Sequence, residues 1–270
     1  MAELVAAFGT PHAPMFPEQV RQGSPGSAEV VQLFGEVRQH LEAVDPDVLI
    51  VFDSDHVSTF FVNNFPTFSV GIGDTTAGPN DMTVMPHYEG IPVHAGLATH
   101  LRAEGIRDDF DLSLLQDFEV DHSILVPLHF LTPRMDTAIV PFYVNGLVPP
   151  IPGAKRCYAL GQSIRRAIEA WPEHLRVAVL ASGVFSLDLG GPRSGGPVPD
   201  PGWTQRVCGL LQQGHVAQLL DEATTERMWR AGNIGGELLN WVTMLGVIGD
   251  RKPRFVHPRD GDAFAAWRWD

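Results

Sequence analysis

The sequence predicts one α/β domain of three layers, α/β/α, in which helices cover both faces of a mostly parallel central sheet. Three observations predict it. Short apolar runs of strand length alternate with amphipathic stretches of helix length. Gly, Pro and Asp punctuate most of the junctions. No internal repeat or linker-like stretch divides the chain, so residues 1–270 are read as a single domain. That length buries a full core without disulfide or metal staples. Strands alternating with helices pair in parallel, and their helices shield both faces.

The elements follow in order. Residues 3–9 (ELVAAFG) form an apolar run that stops at Gly-Thr-Pro, as a buried strand does. Val30, Val31, Phe34, Val37 and Leu41 recur at helical spacing over 28–43, and Asp45-Pro46 ends that helix. Residues 47–52 (DVLIVF) are a second buried strand, so a right-handed parallel crossover is expected. Residues 53–92 are rich in Gly, Pro, Asn and Thr and read as a long irregular segment with one short strand at 67–72. A helix at 92–104, a strand at 137–144, a helix at 153–171 and a strand at 176–182 come next. A Gly- and Pro-rich loop spans 183–202, and helices at 202–221 and 233–247 complete the list. In such sheets functional loops lie past the carboxyl ends of the strands. His12, His56 and the segment from Ser182 to Asp188 all fall there.

Composition narrows the partners. The formal net charge is −13, with 44% hydrophobic and 19% charged residues. An acidic surface argues against nucleic acid and anionic membranes, which need clustered Lys and Arg. No apolar run approaches the roughly 20 residues that span a bilayer. Met1-Ala2-Glu3-Leu4 lacks the positive region of a secretory signal. Cys157 and Cys208 have neither metal nor redox spacing and are expected as small buried side chains. A soluble cytoplasmic protein is the expectation.

Three separate segments carry metal-capable side chains: Gly9-Thr10-Pro11-His12, Asp53-Ser54-Asp55-His56 and Gly235-Gly236-Glu237. Two neutral imidazoles and one carboxylate are the ligand set of non-haem Fe(II) sites that keep positions open for substrate and O₂. The same set serves catalytic zinc, so a metal-dependent hydrolase stays open on residue chemistry alone. Gly9 and Pro11 would set a tight turn before His12, and Asp53 or Asp55 could orient the second ring nitrogen of His56. Glu237 lies in an apolar helix and needs a partner if buried. The plain readings are a hydrogen-bonded strand-end histidine, a solvated turn and a water-facing carboxylate. His122, in Asp121-His122-Ser123, is the candidate general acid and base. Its plain reading is a helix-start residue capped by Asp121.

Side by side, these segments resemble the class III extradiol ring-cleavage dioxygenases, in the branch of the protocatechuate 4,5-dioxygenase catalytic β subunit. The matching pieces are Gly9-Thr10-Pro11-His12-Ala13-Pro14, Asp55-His56, Asp121-His122 with Val126-Pro127-Leu128, Ser182-Gly183 with Ser186, and Gly235-Gly236-Glu237 with Trp241 and Met244. The resemblance implies Fe(II) held by His12, His56 and Glu237, with His122 as base. It implies that O₂ opens the ring of a catechol-type diol or an aminophenol outside the oxygenated pair. Thr10, Ser186 and Leu187 are carried over as substrate-binding positions. Leu187 stands where the family has a second active-site histidine, so an altered substrate, an altered rate or a non-catalytic subunit is expected as the alternative. A carboxylated substrate would call for a cation, and Arg134, Arg193 and Arg254 are the candidates. The expected assembly is a homo-oligomer, with a small second subunit as an open addition.

Overall fold

The computed structural model of the chain describes residues 1–190 and 200–269. In order, they form β1 (Ala2–Thr10), α1 (Phe16–Gln22), α2 (Ser27–Val44), β2 (Val48–Asp53), β3 (Phe68–Gly71), β4 (Thr75–Gly78) and β5 (Tyr88–Pro92). Next come α3 (Ala95–Arg107), β6 (Leu112–Leu115), α4 (His122–Leu131), β7 (Ala138–Val144), α5 (Ala154–Ala170) and β8 (Leu175–Ser182). The rest are α6 (Pro201–Gln213), α7 (Val216–Glu222), α8 (Thr225–Arg230), a 3₁₀ turn (Gly235–Glu237), α9 (Leu238–Ile248), β9 (Phe255–Pro258) and β10 (Ala263–Arg268).

Eight strands form the main sheet in the order β6-β3-β7-β2-β8-β1-β10-β9. The central β7, β2, β8 and β1 are mutually parallel. β3 and β10 pair antiparallel against the two sides of this block. The mostly parallel α/β/α reading therefore describes the centre, and antiparallel pairing enters at the flanks. Alternation sorts the core into two layers. Val48, Ile50 and Phe52 of β2 face α3, α5, α6, α7 and α9, whereas Leu49 and Val51 face α1, α2 and α4. Every residue of α9 is buried. A helix apolar all round belongs inside a core, and α9 packs most extensively on α5.

The pleat also aligns strand ends. Thr10 of β1 pairs with Ser182 of β8, and Asp53 of β2 pairs with Tyr143 of β7. The loops after these strands leave the sheet along one edge. The reading at 53–92 missed the β4–β5 hairpin, whose short strands lack periodicity. The predicted helix at 202–221 is α6 and α7, separated at Gly214, whose φ of 71° takes the left-handed region. Of the loop at 183–202, residues 191–199, including Arg193, lie outside the described residues. Cys157 and Cys208 are free and buried. Among the described residues, no helix is long and apolar enough to cross a membrane.

Candidate metal centre and active site

His12 lies two residues past β1 and His56 three past β2, so the sheet delivers both to one edge. Gly9 does not make the expected turn; it is the penultimate residue of β1. Its missing side chain makes room for Trp241, whose ring atoms come within 2.2 Å of where a Cβ would stand. Trp241 Nε1 in turn donates to the Gly183 carbonyl at 3.1 Å, tying α9 to the loop after β8. Glu237 closes the 3₁₀ turn that leads into α9. That turn fits because Gly236 is bare: a Cβ there would stand 2.0 Å from the Gly146 carbonyl oxygen.

The three side chains meet. Glu237 Oε1 lies 3.4 Å from His12 Nε2 and 3.1 Å from His56 Nε2. The other oxygen, Oε2, accepts the Val184 N–H at 2.9 Å. Glu237 is wholly buried, and Oε1 has no further hydrogen-bond partner.

The hydrogen-bond network assigns the tautomers. Ser182 Oγ donates to the Ser123 carbonyl at 2.6 Å, so its lone pair accepts Nδ1–H of His12 at 2.8 Å. Asp121 Oδ2 accepts the His56 backbone N–H at 2.8 Å and His56 Nδ1–H at 3.3 Å. Both rings thus spend Nδ1–H on fixed acceptors and turn bare Nε2 lone pairs toward a carboxylate oxygen. Three lone pairs converging in a buried place call for a cation, either a metal ion or a proton. Electrostatics follow suit. Burial opposes the charge on Glu237, yet the two rings hold its pKa down at about 2. Burial also depresses His56, but Asp121 and Glu237 outweigh it and leave its pKa well above the ordinary value. His12 is lowered, chiefly by burial.

His122 opens α4, and Asp121 caps that helix by accepting Ser123 N–H at 2.9 Å. The cap and the hold on His56 thus come from one carboxylate. Orientation of His56 falls to Asp121 rather than to Asp53 or Asp55, a correction to the sequence expectation. Asp55 instead accepts Thr59 N–H at 2.9 Å within its own turn. Asp53 is buried, and that burial, with Asp121 nearby, pushes its pKa well up. The ring centroid of His122 lies 4.4 Å from that of His56 and 5.5 Å from that of His12. Nitrogens of all three rings come within 4.8 Å of one another. His56 and His122 line a cavity of about 530 Å³ with Met15, Met82, Val84 and Asp81. This is the size of pocket that takes a small ligand, and Glu18, Ser58 and Thr83 line it as well.

The three carried-over substrate positions do not line that cavity. Thr10 is wholly buried. Ser186 Oγ donates to the Ala231 carbonyl at 2.7 Å. Leu187 is 38% exposed, and its carbonyl accepts Ile234 N–H at 3.1 Å. Arg134 pairs with Asp136 at 2.7 Å on the surface, and Arg254 Nε donates to the Arg268 carbonyl at 3.0 Å. Sequence reasoning missed Asp81, which carries no local signal in the irregular 79–87 segment. The Asp121-His122 pair was visible, but only the capping half of Asp121's part could be read from it.

An α/β sheet with two imidazoles and a carboxylate gathered at its carboxyl edge offers the donor set of a metal site. Residues 6–260 match the family described as the catalytic LigB subunit of aromatic ring-opening dioxygenase, and the chain belongs to that family. It is 37% identical over 159 residues to the gallate dioxygenase of Pseudomonas putida, covering 57% of this chain and 46% of that protein, so it spans about half of that relative's length. It is 25% identical over 284 residues to a 2,3-dihydroxyphenylpropionate/2,3-dihydroxicinnamic acid 1,2-dioxygenase of Klebsiella pneumoniae, covering 89% of this chain and 84% of that one. An Escherichia coli enzyme of the same name is 28% identical over 263 residues, with 82% of each chain covered. Among solved structures, an uncharacterized protein of Escherichia coli shares the fold, with a TM-score of 0.58 at 15% identity over 97% of this chain and 98% of that one.

Proposed function

We propose that this chain is an Fe(II)-dependent extradiol dioxygenase that opens the ring of a catechol-type diol or an aminophenol with O₂. One observation carries the reading. Glu237 Oε1 is buried without a hydrogen-bond donor and sits between two imidazole Nε2 lone pairs. A donor set of two nitrogens and one carboxylate oxygen suits a ferrous ion and leaves coordination positions free. His12, His56 and Glu237 would hold it. When bound, the ion would keep diol and O₂ side by side and carry electrons from ring to O₂.

The other roles belong to the protein. Ser182 and Asp121 keep the two ligand rings in the metal-binding tautomer, as orienting partners of metal histidines do. His122 accepts a substrate hydroxyl proton and returns it as the O–O bond breaks. Met15, Met82 and Val84 offer the ring an apolar wall that is open to solvent on its outer side. The named relatives act on gallate or on 2,3-dihydroxyphenylpropionate, which supports a substrate with adjacent ring hydroxyls. A homo-oligomer, open to a small second subunit, is the assembly proposed.

The deciding experiment loads the protein anaerobically with Fe(II) and adds a panel of catechols and aminophenols with oxygen. O₂ uptake with yellow ring-opened product in the wild type, and neither in Glu237→Gln, is expected. Turnover that depends on zinc and consumes no O₂ would establish a hydrolase instead.

A further inference from the structure

We propose that Asp81 is the positioning residue of His122, holding its ring as the Nδ1–H tautomer with Nε2 bare toward the substrate. The inference rests on the reading of His122 as the proton-transfer group. Asp81 stands on the irregular segment between β4 and β5, 41 residues before its partner. One oxygen, Oδ2, accepts both the His122 backbone N–H at 3.1 Å and its Nδ1–H at 2.5 Å. The other, Oδ1, accepts Thr83 N–H at 2.9 Å. Two bonds from one oxygen fix where the ring starts and which way it faces. The third bond fixes the carboxylate. These side chains are 11% and 15% exposed, so little water competes for the pair. The bonded N–H groups hold Asp81 ionised, with its pKa well below the carboxylate range against the opposing effect of burial.

A separate carboxylate is needed because the neighbouring one is already engaged. Asp121 spends Oδ2 on His56 and Oδ1 on the start of α4. On the resemblance, Leu187 stands where the family has a second active-site histidine, so His122 would work without one. Both proton movements then fall on one ring. Accepting a proton requires the bare nitrogen, Nε2, to face the substrate, so the wrong tautomer is inactive. Removing an orienting partner of this kind typically costs about 10–100-fold in activity.

The test pairs kinetics with nitrogen NMR of histidine-labelled, zinc-loaded full-length protein, zinc being a diamagnetic stand-in. In the wild type, His122 should show a protonated Nδ1 and a bare Nε2. Asp81→Ala should mix the tautomers and lower kcat about 10–100-fold, with KM for catechol little changed. Asp81→Asn can keep its amide oxygen toward His122 only by turning NH₂ against Thr83 N–H. It should therefore retain the tautomer and lose less rate. Asp81→Ala should add little loss in a His122→Ala background. An unchanged tautomer or unchanged kcat in Asp81→Ala overturns the proposal, as does an equal loss in both backgrounds. Full activity of His122→Ala would overturn the proton-transfer reading instead, and the tautomer measurement would still decide whether Asp81 holds the ring.

Discussion

Ferrous ion should stabilise this protein through His12, His56 and Glu237, and a single isosteric change should erase the effect. A ligand that binds only the folded state contributes about 2.7 kcal/mol at a free concentration 100 times its Kd. Unfolding entropy of about 2.1 cal/mol/K per residue, taken over the 270 residues, converts this to a rise of about 5 °C in Tm. Glu237→Gln removes the anionic oxygen and places an NH₂ donor before the two Nε2 lone pairs, while the amide oxygen can still accept Val184 N–H. The variant should thus show no ferrous shift, whatever its own metal-free Tm. Anaerobic calorimetry with and without Fe(II) measures both. The shift should shrink on acidification. Protons compete with the metal for the Nε2 lone pairs of His12 and His56, and that competition grows as pH falls. An undiminished shift in Glu237→Gln, His12→Ala and His56→Ala alike would refute the convergent-ligand argument.

Further outcomes follow from the same geometry. His122→Ala should keep the ferrous thermal shift and lose about 10²–10⁴-fold in kcat, measured by O₂ consumption. Gly9→Ala should destabilise the fold by about 1–3 kcal/mol in denaturant titration, because its methyl would overlap the buried Trp241 ring. Asp262 has its pKa raised from 3.8 to about 6, chiefly by burial and only partly countered by Arg259. A carboxyl that binds its proton more tightly when folded stabilises the fold fully below pH 3.8, and loses that contribution as pH rises through about 6. The difference is worth about 3 kcal/mol. Asp262→Asn should therefore flatten the stability profile between those pH values and raise stability relative to the wild type at pH 8.

Much of the scaffold was legible because burial writes itself into a strand or helix directly. The apolar runs of β1, β2, β7 and β8 and the amphipathic spacing of α2 follow from the layer each must face. The β4–β5 hairpin and β10 escaped because short strands, or runs such as Ala263–Arg268 without alternation, carry no comparable period. Nor could periodicity show that Gly9 is bare to admit Trp241, since that contact joins positions more than two hundred residues apart.

The same division runs through the site. Residue type singled out His12, His56 and Glu237 as a metal donor set and His122 as an acid and base. Position past a strand end, where a parallel sheet presents its functional loops, added weight to His12 and His56. Which carboxylate serves which imidazole was settled only in three dimensions. Asp121 reaches His56 across 65 residues and Asp81 reaches His122 across 41, rather than the nearer Asp53 or Asp55. A hydrogen bond depends on distance and direction between atoms, and chain order fixes neither until the sheet register and the loops that follow it are in place.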